Sequence, residues 1–191
     1  MAQSFNYGYI PESLYVYRRH NCNLTNNHKA QLSNEVQIVK KLGIEYIKGI
    51  IKSSNFSEED KKLILAGVLI KISEWRKASN ILLDILKTKE NGLIHFYLGN
   101  CFYHSLDYNN AKNHYKDSLI LDSNLAESHN NLGCTNLKLG KIHEAKLEFS
   151  KALELRKEYM DPKINLEKLN KGDYNCKITE KELRKTLTLY R

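Results

Sequence analysis

"LGNCFYHSLDYNNAKNHY" at residues 98–115 and "LGCTNLKLGKIHEAKLEF" at residues 132–149 share one skeleton, displaced by 34 residues. Leu98, Gly99, Phe102, Ala111, Tyr115 and Leu119 mark the first copy. Leu132, Gly133, Ala145, Phe149 and Leu153 hold matching offsets in the second. Between the marks lie the turns "HSLDYN" and "KLGKIH". Large apolar residues recur at helical spacing, so each unit predicts a helix, a short turn and an antiparallel helix. The small residues mark where the paired backbones approach.

This skeleton resembles the tetratricopeptide repeat, with its 34-residue period and W-x2-L-G-x2-Y…A-x3-F…P pattern. His95 and His129 stand where Trp is usual, Asn136 replaces the Tyr, and Ser123 and Lys157 replace the Pro. A weaker copy comes first: Leu65, Ala66, Leu69, Ala78, Leu82 and Ile85 match at an offset of 33, one residue short. The resemblance implies an all-α, right-handed superhelix of three repeats, 57–91, 92–125 and 126–159. Three repeats suffice for a stack in which neighbours cover each other's apolar faces.

The flanks read as caps. Residues 1–33 form a polar, tyrosine-rich segment (Tyr7, Tyr9, Tyr15, Tyr17) with little expected regular structure. Residues 34–56 hold one long helix by apolar spacing. Capping helices are expected over 160–191. "DPKINLEKLN" at 161–170 offers Asp161 as cap and Pro162 at the first helical position. "TEKELRKTLTLY" at 179–190 opens with a capping box, Thr179 and Glu182.

Composition narrows the function classes. Hydrophobic content of 41% and charged content of 27% are those of a folded domain. The net charge of +8 lies in the flanks, since residues 57–155 carry 13 basic and 13 acidic side chains. No dense Lys/Arg run exists, so the excess reads as a solvated surface and no nucleic-acid partner is expected. The four cysteines form no Cys-x-x-Cys pair. No leader pattern and no run of about 18 apolar residues is present, so no membrane span is expected and cytoplasmic residence is.

The resemblance implies a concave groove lined by the first helix of each repeat at positions 2, 5, 9, 12 and 13. In the middle repeat these are Leu93, Phe96, Asn100, Tyr103 and His104. In the last they are Glu127, Asn130, Cys134, Leu137 and Lys138; in the first, Asp60, Leu63, Gly67, Ile70 and Lys71. Phe96 and Tyr103 are the expected anchors, and Asn100, Asn130 and Asn131 the polar contacts to a peptide backbone. The same residues could instead pack on the N-terminal segment or a flanking helix. Repeat proteins that hold chaperone tails place cations around two carboxylates. The two possible frames here offer Leu63, Gly67, Tyr97, Glu127 and Asn131, or Phe96, Asn100, Asn131, Asp161 and Asn165. Neither supplies a cation, so no heat-shock chaperone tail is expected.

Catalytic and metal chemistry find no motif. "HNCNLTNNH" at 20–28 fits no common zinc spacing. His95 and His129 share a repeat position, which explains their spacing as structural. No P-loop, G-x-S-x-G or G-x-G-x-x-G is present. The expected role is a non-enzymatic protein-binding adaptor or scaffold without metal or cofactor. Two other classes stay open: a dedicated chaperone resembling the small three-repeat type III secretion chaperones, and a nucleic-acid-associated factor using the basic flanks.

Overall fold

A computed structural model describes residues 36–181. These residues are all-helical, without strands. Helix α1 spans 36–42, α2 Ile44–Ser53, α3 Glu58–Lys71, α4 Trp75–Leu86 and α5 Gly92–His104. Helix α6 spans Tyr108–Leu121, α7 Ala126–Lys138, α8 Ile142–Leu155 and α9 Met160–Asn170. The hairpins α3–α4, α5–α6 and α7–α8 stack in chain order, and α9 packs on α8 and α7. The N-terminal helix is not continuous. Gly43 has φ of 80° and breaks it into α1 and α2, as a glycine in the left-handed region does at a helix end. Expectations for residues 1–35 and 182–191 lie outside the described residues.

Each hairpin is built on one contact between a small residue and a large one. A Cβ on Gly99 would lie 2.4 Å from Tyr115 Cε1, and one on Gly133 would lie 2.6 Å from Phe149 Cε1. Tyr115 and Phe149 are fully buried, so their rings rest on bare backbone. In the first hairpin Ala66 takes the glycine position, and the large partner shrinks to Leu82 in the same cluster. The pair conserves volume, which close-packed interiors demand. Ala78, Ala111 and Ala145 fill the facing small position on the second helices, all at 0% exposure.

The turns repeat as closely. Ser73, Leu106 and Gly140 sit at φ of 64°, 63° and 72°. Beyond each, an amide reaches back over the helix end: Glu74 N to Leu69 O at 2.9 Å, Asp107 N to Phe102 O at 2.9 Å, and Lys141 N to Asn136 O at 2.8 Å. This is the six-to-one closure of a left-handed helix C-terminus. Helix α9 ends the same way, with Gly172 at φ of 74° and Asp173 N bonded to Lys168 O at 2.9 Å. It is therefore a first-type helix followed by the usual turn. Residues 173–180 after it run without helical structure. The missing residue of the first repeat falls at the end of α4, which has 12 residues against 14 in α6 and α8.

Replacing Gly133 with Ala should force the Phe149 ring off the backbone and cost about 1–3 kcal/mol, read as a fall in melting temperature. Replacing Leu106 with Gly should do the opposite. Leu106 is 71% exposed and contributes little packing, whereas its left-handed backbone costs about 1 kcal/mol that glycine avoids. A rise in melting temperature for Leu106→Gly, with none for Leu106→Ala, checks the turn assignment.

Candidate functional site

The first helices α5, α7 and α9 line one concave face, and each presents asparagine to it. Asn100, Asn130, Asn131 and Asn165 are all buried. Lying along them is the chain's own segment after α9. Asn131 Oδ1 accepts from Thr179 N at 2.7 Å, while its Nδ2 donates to Thr179 O at 2.8 Å. Asn165 does the same two residues earlier: its Oδ1 accepts from Lys177 N at 2.8 Å and its Nδ2 donates to Lys177 O at 2.9 Å. In an extended strand the N–H and C=O of residues i and i+2 face one side. The two carboxamides, one repeat apart, thus stand in for a neighbouring strand. Asn100 Nδ2 continues the row, donating to Thr179 O at 3.1 Å and Glu180 O at 3.2 Å.

A second layer fixes the carboxamides. Asn100 Oδ1 accepts from Tyr115 Oη at 2.6 Å and from Asn131 Nδ2 at 2.8 Å. Asn165 Nδ2 also donates to Asn130 Oδ1 at 2.9 Å. Tyr115 thus does two jobs: its ring covers Gly99 and its hydroxyl orients the ladder. These assignments leave the four carboxamides hydrogen-bonded, as buried amides require.

The strand alternates as its geometry demands. Cys176 and Ile178 pack on the cluster of Cys134, Leu137, Phe149 and Leu169, beside Tyr103. Lys177 and Thr179 face the start of α9. Lys177 Nζ lies 2.6 Å from Asp161 Oδ1, and Thr179 Oγ1 donates to Asp161 Oδ2 at 2.9 Å. The Thr179 hydroxyl also accepts from Asn130 Nδ2 at 3.2 Å and meets the Tyr159 hydroxyl. Burial pushes the Tyr159 phenol well above its ordinary range, so it stays protonated. Glu180 Oε1 pairs with His104 Nε2 at 2.9 Å, and His104 stacks on Trp75 with ring centroids 4.0 Å apart. Beyond Lys181 a mostly apolar cavity of about 370 Å³ opens beside Leu63, Gly67, Ile70 and Tyr97.

Of the residues read from sequence, Asn100, Asn130, Asn131 and His104 meet on this strand. Tyr103 and Leu137 lie in the apolar cluster that Ile178 joins, and Lys138 is exposed. Phe96 is fully buried with Ala111, Tyr115 and Leu132, and Leu93 packs on that same cluster. Phe96 is therefore interior filling and offers no free anchor. Glu127 is also buried, at 2% exposure. Asp161 does not cap α9, whose cap position is Tyr159, because its carboxylate is held by Lys177 and Thr179. The amide and hydroxyl of Thr179 are engaged in the groove and residues 180–181 are not helical; the helix expected beyond them lies outside the described residues. Asn165, at the same repeat position as Asn131, was marked by its 34-residue spacing.

One cluster has metal-ligand character. His95, His114 and Asp117 offer donor atoms within 4.8 Å of one another, and the His95 and His114 Nδ1 atoms are 3.0 Å apart. Burial, with the neighbouring His95, lowers the His114 pKa. The next repeat places His129 and Glu148 at the same positions, 2.6 Å apart. The imidazole is thus a tie between the two helices of a repeat, and the second histidine is its partner in the middle one.

A tetratricopeptide-repeat model matches residues 126–159. The chain carries a tetratricopeptide repeat. Its fold is that of such domains. The first tetratricopeptide domain of Spaghetti (RPAP3), bound to an HSP90 peptide SRMEEVD, superimposes with a TM-score of 0.56 at 15% identity, covering 62% of this chain and 98% of that one. The second such domain of human RPAP3, in complex with an HSP70 peptide SGPTIEEVD, gives 0.55 at 18% identity, over 57% and 92%. A crystal structure of MamA gives 0.56 at 14% identity, over 82% and 88%. No curated protein matches the sequence. Among the described residues no helix is long and apolar enough to cross a membrane.

The thiols report whether the strand is seated. Burial holds the Cys134 thiol above its ordinary range, whereas the neighbouring Cys134, with Lys138 and Lys168, lowers Cys176 and makes it the more acidic of the two. Burial pushes Cys101 up to about 12. Iodoacetamide should therefore modify Cys176 well before Cys134 and Cys101. In Asn131→Ala, which frees the strand, Cys134 labelling should rise toward the Cys176 rate while Cys101 stays slow. Peptide mass spectrometry over a time course checks this.

Proposed function

We propose that this chain is a non-catalytic protein-binding adaptor whose repeat groove holds an extended protein segment. The supporting observation is the paired Asn131 and Asn165 carboxamides, each engaging both the N–H and the C=O of one residue of an extended strand. Such pairing needs only a backbone, so any suitably shaped segment can be held where residues 177–180 lie. Asn100, Asn130 and His104 extend the contact, and Tyr103 and Leu137 supply the apolar floor. The RPAP3 domains, of similar fold, hold short peptides. Their acidic ligands do not suit this groove, where an acid, Asp161, stands in place of a cation. No catalytic role is assigned to any residue here.

The test is capture with a Lys177→Ala/Thr179→Val chain, whose own segment is held less tightly, against the same chain with Asn131→Ala and Asn165→Ala added, read by quantitative mass spectrometry. Losing both bidentate pairs should cost about 1–3 kcal/mol for each buried group left unpaired. A partner enriched by the first chain and depleted at least about tenfold by the second is the expected result. A partner captured equally by both would move binding out of the groove.

A further inference from the structure

Backbone pairing alone cannot choose between segments. Selection must come from the side chains that the strand buries, and the groove shows which these are. Thr179 is the one residue of 173–181 that is buried, at 6% exposure. A hydroxyl has one proton to give and two lone pairs to fill. Thr179 uses all three, donating to Asp161 Oδ2 and accepting from Asn130 Nδ2 and the Tyr159 hydroxyl. Two residues earlier, on the same side of the strand, Lys177 Nζ takes the other oxygen of the Asp161 carboxylate. The pocket is thus complementary to one ammonium and one hydroxyl, spaced i and i+2.

We infer that the groove is selective for extended segments carrying Lys-x-Thr or Lys-x-Ser, and that Lys177-Ile178-Thr179 of the chain itself is a built-in competitor for that site. The inference rests on the groove reading above and adds the ligand's chemistry. Its basis is the half-enclosed Asp161 carboxylate beside the asparagine ladder. The Asp161 carboxylate takes the Lys177 ammonium on one oxygen and the Thr179 hydroxyl on the other. An acidic side chain entering beside Asp161 meets a carboxylate only 13% exposed, where like charges repel strongly. A valine in place of the threonine leaves Tyr159, Asn130 and Asp161 each short of a partner, and sites built around a hydroxyl reject its absence more strongly than a lost methyl. A phosphothreonine brings two negative charges against the same Asp161 and does not fit.

The tail is tethered through the Gly172 turn, so it competes at the high effective concentration of a short linker, on the order of millimolar. A partner strand therefore binds the intact chain only by displacing it. Weakening the tail's own Lys-x-Thr should strengthen the binding of the same motif supplied from outside. This opposite response to one substitution, made in the protein or in the peptide, is the signature of the arrangement.

The test uses three fluorescent peptides: the sequence of residues 175–181, NCKITEK, its Thr→Val form, and its phosphothreonine form. Each is titrated by anisotropy into the intact wild-type chain and into intact Thr179→Val and Lys177→Ala variants. Lys177 is exposed, so its replacement leaves the helices undisturbed and guards against a folding artefact. The threonine peptide should bind Thr179→Val at least about tenfold more tightly than it binds wild type, with a smaller gain for Lys177→Ala. On Thr179→Val it should also bind at least about tenfold more tightly than the valine and phosphothreonine peptides. Equal binding of all three peptides to that variant overturns the selectivity while leaving the groove reading intact. Equal binding of the threonine peptide to wild type and both variants overturns the competition. Absence of binding by every peptide to every protein overturns the inference and the groove reading together.

Discussion

Everything on the concave face depends on one contact, the Asn131 carboxamide against the backbone of Thr179. A side-chain amide offers the same donor and acceptor that a peptide group offers. Held rigid, it can take the place of a neighbouring strand. The rigidity comes from below, since Asn131 Nδ2 also donates to Asn100 Oδ1, and Asn100 in turn accepts from the Tyr115 hydroxyl. A buried amide this fully engaged has one orientation open to it, and the strand is read against that orientation.

The hairpin packing exists in register with this ladder. Tyr115 can reach Asn100 only because its ring lies flat on Gly99, and a methyl there would displace it. Phe149 fills the equivalent space on Gly133 without a hydroxyl, and the groove beneath it is apolar instead, holding Cys176 and Ile178. The choice between tyrosine and phenylalanine at one repeat position thus decides whether that step of the groove is polar or greasy. The stack supplies a fixed spacing, and the residues at its crossings supply the chemistry.

The repeat itself was legible because its period is imposed by packing: glycine or alanine must recur where backbones touch, and a ring or leucine must recur opposite. Asn100, Asn130 and Asn131 were legible for a related reason, since three amides on the inner face of helices have few other uses. The occupant was not. Thr179 and Glu182 spell a capping box, and local sequence alone cannot show that Asn131 and Asp161 hold the threonine from a distance. The same local logic makes Asp161 a cap. Phe96 reads as an anchor because the repeat position usually faces the groove. Here the ring sits among Ala111, Tyr115 and Leu132, and tertiary packing overrides the position rule. The left-handed Leu106 carried no glycine signal at all, and only its place in the repeat could have flagged the turn.

The seating of residues 177–179 against the asparagine ladder is tested most directly by solution NMR of the intact chain with assigned side-chain amides. Cross-relaxation between the Asn131 carboxamide protons and the Thr179 amide, matched by the pair Asn165 and Lys177, is the predicted result, together with extended-strand shifts for residues 175–180. Random-coil shifts for that segment and no cross-relaxation to either carboxamide would contradict it.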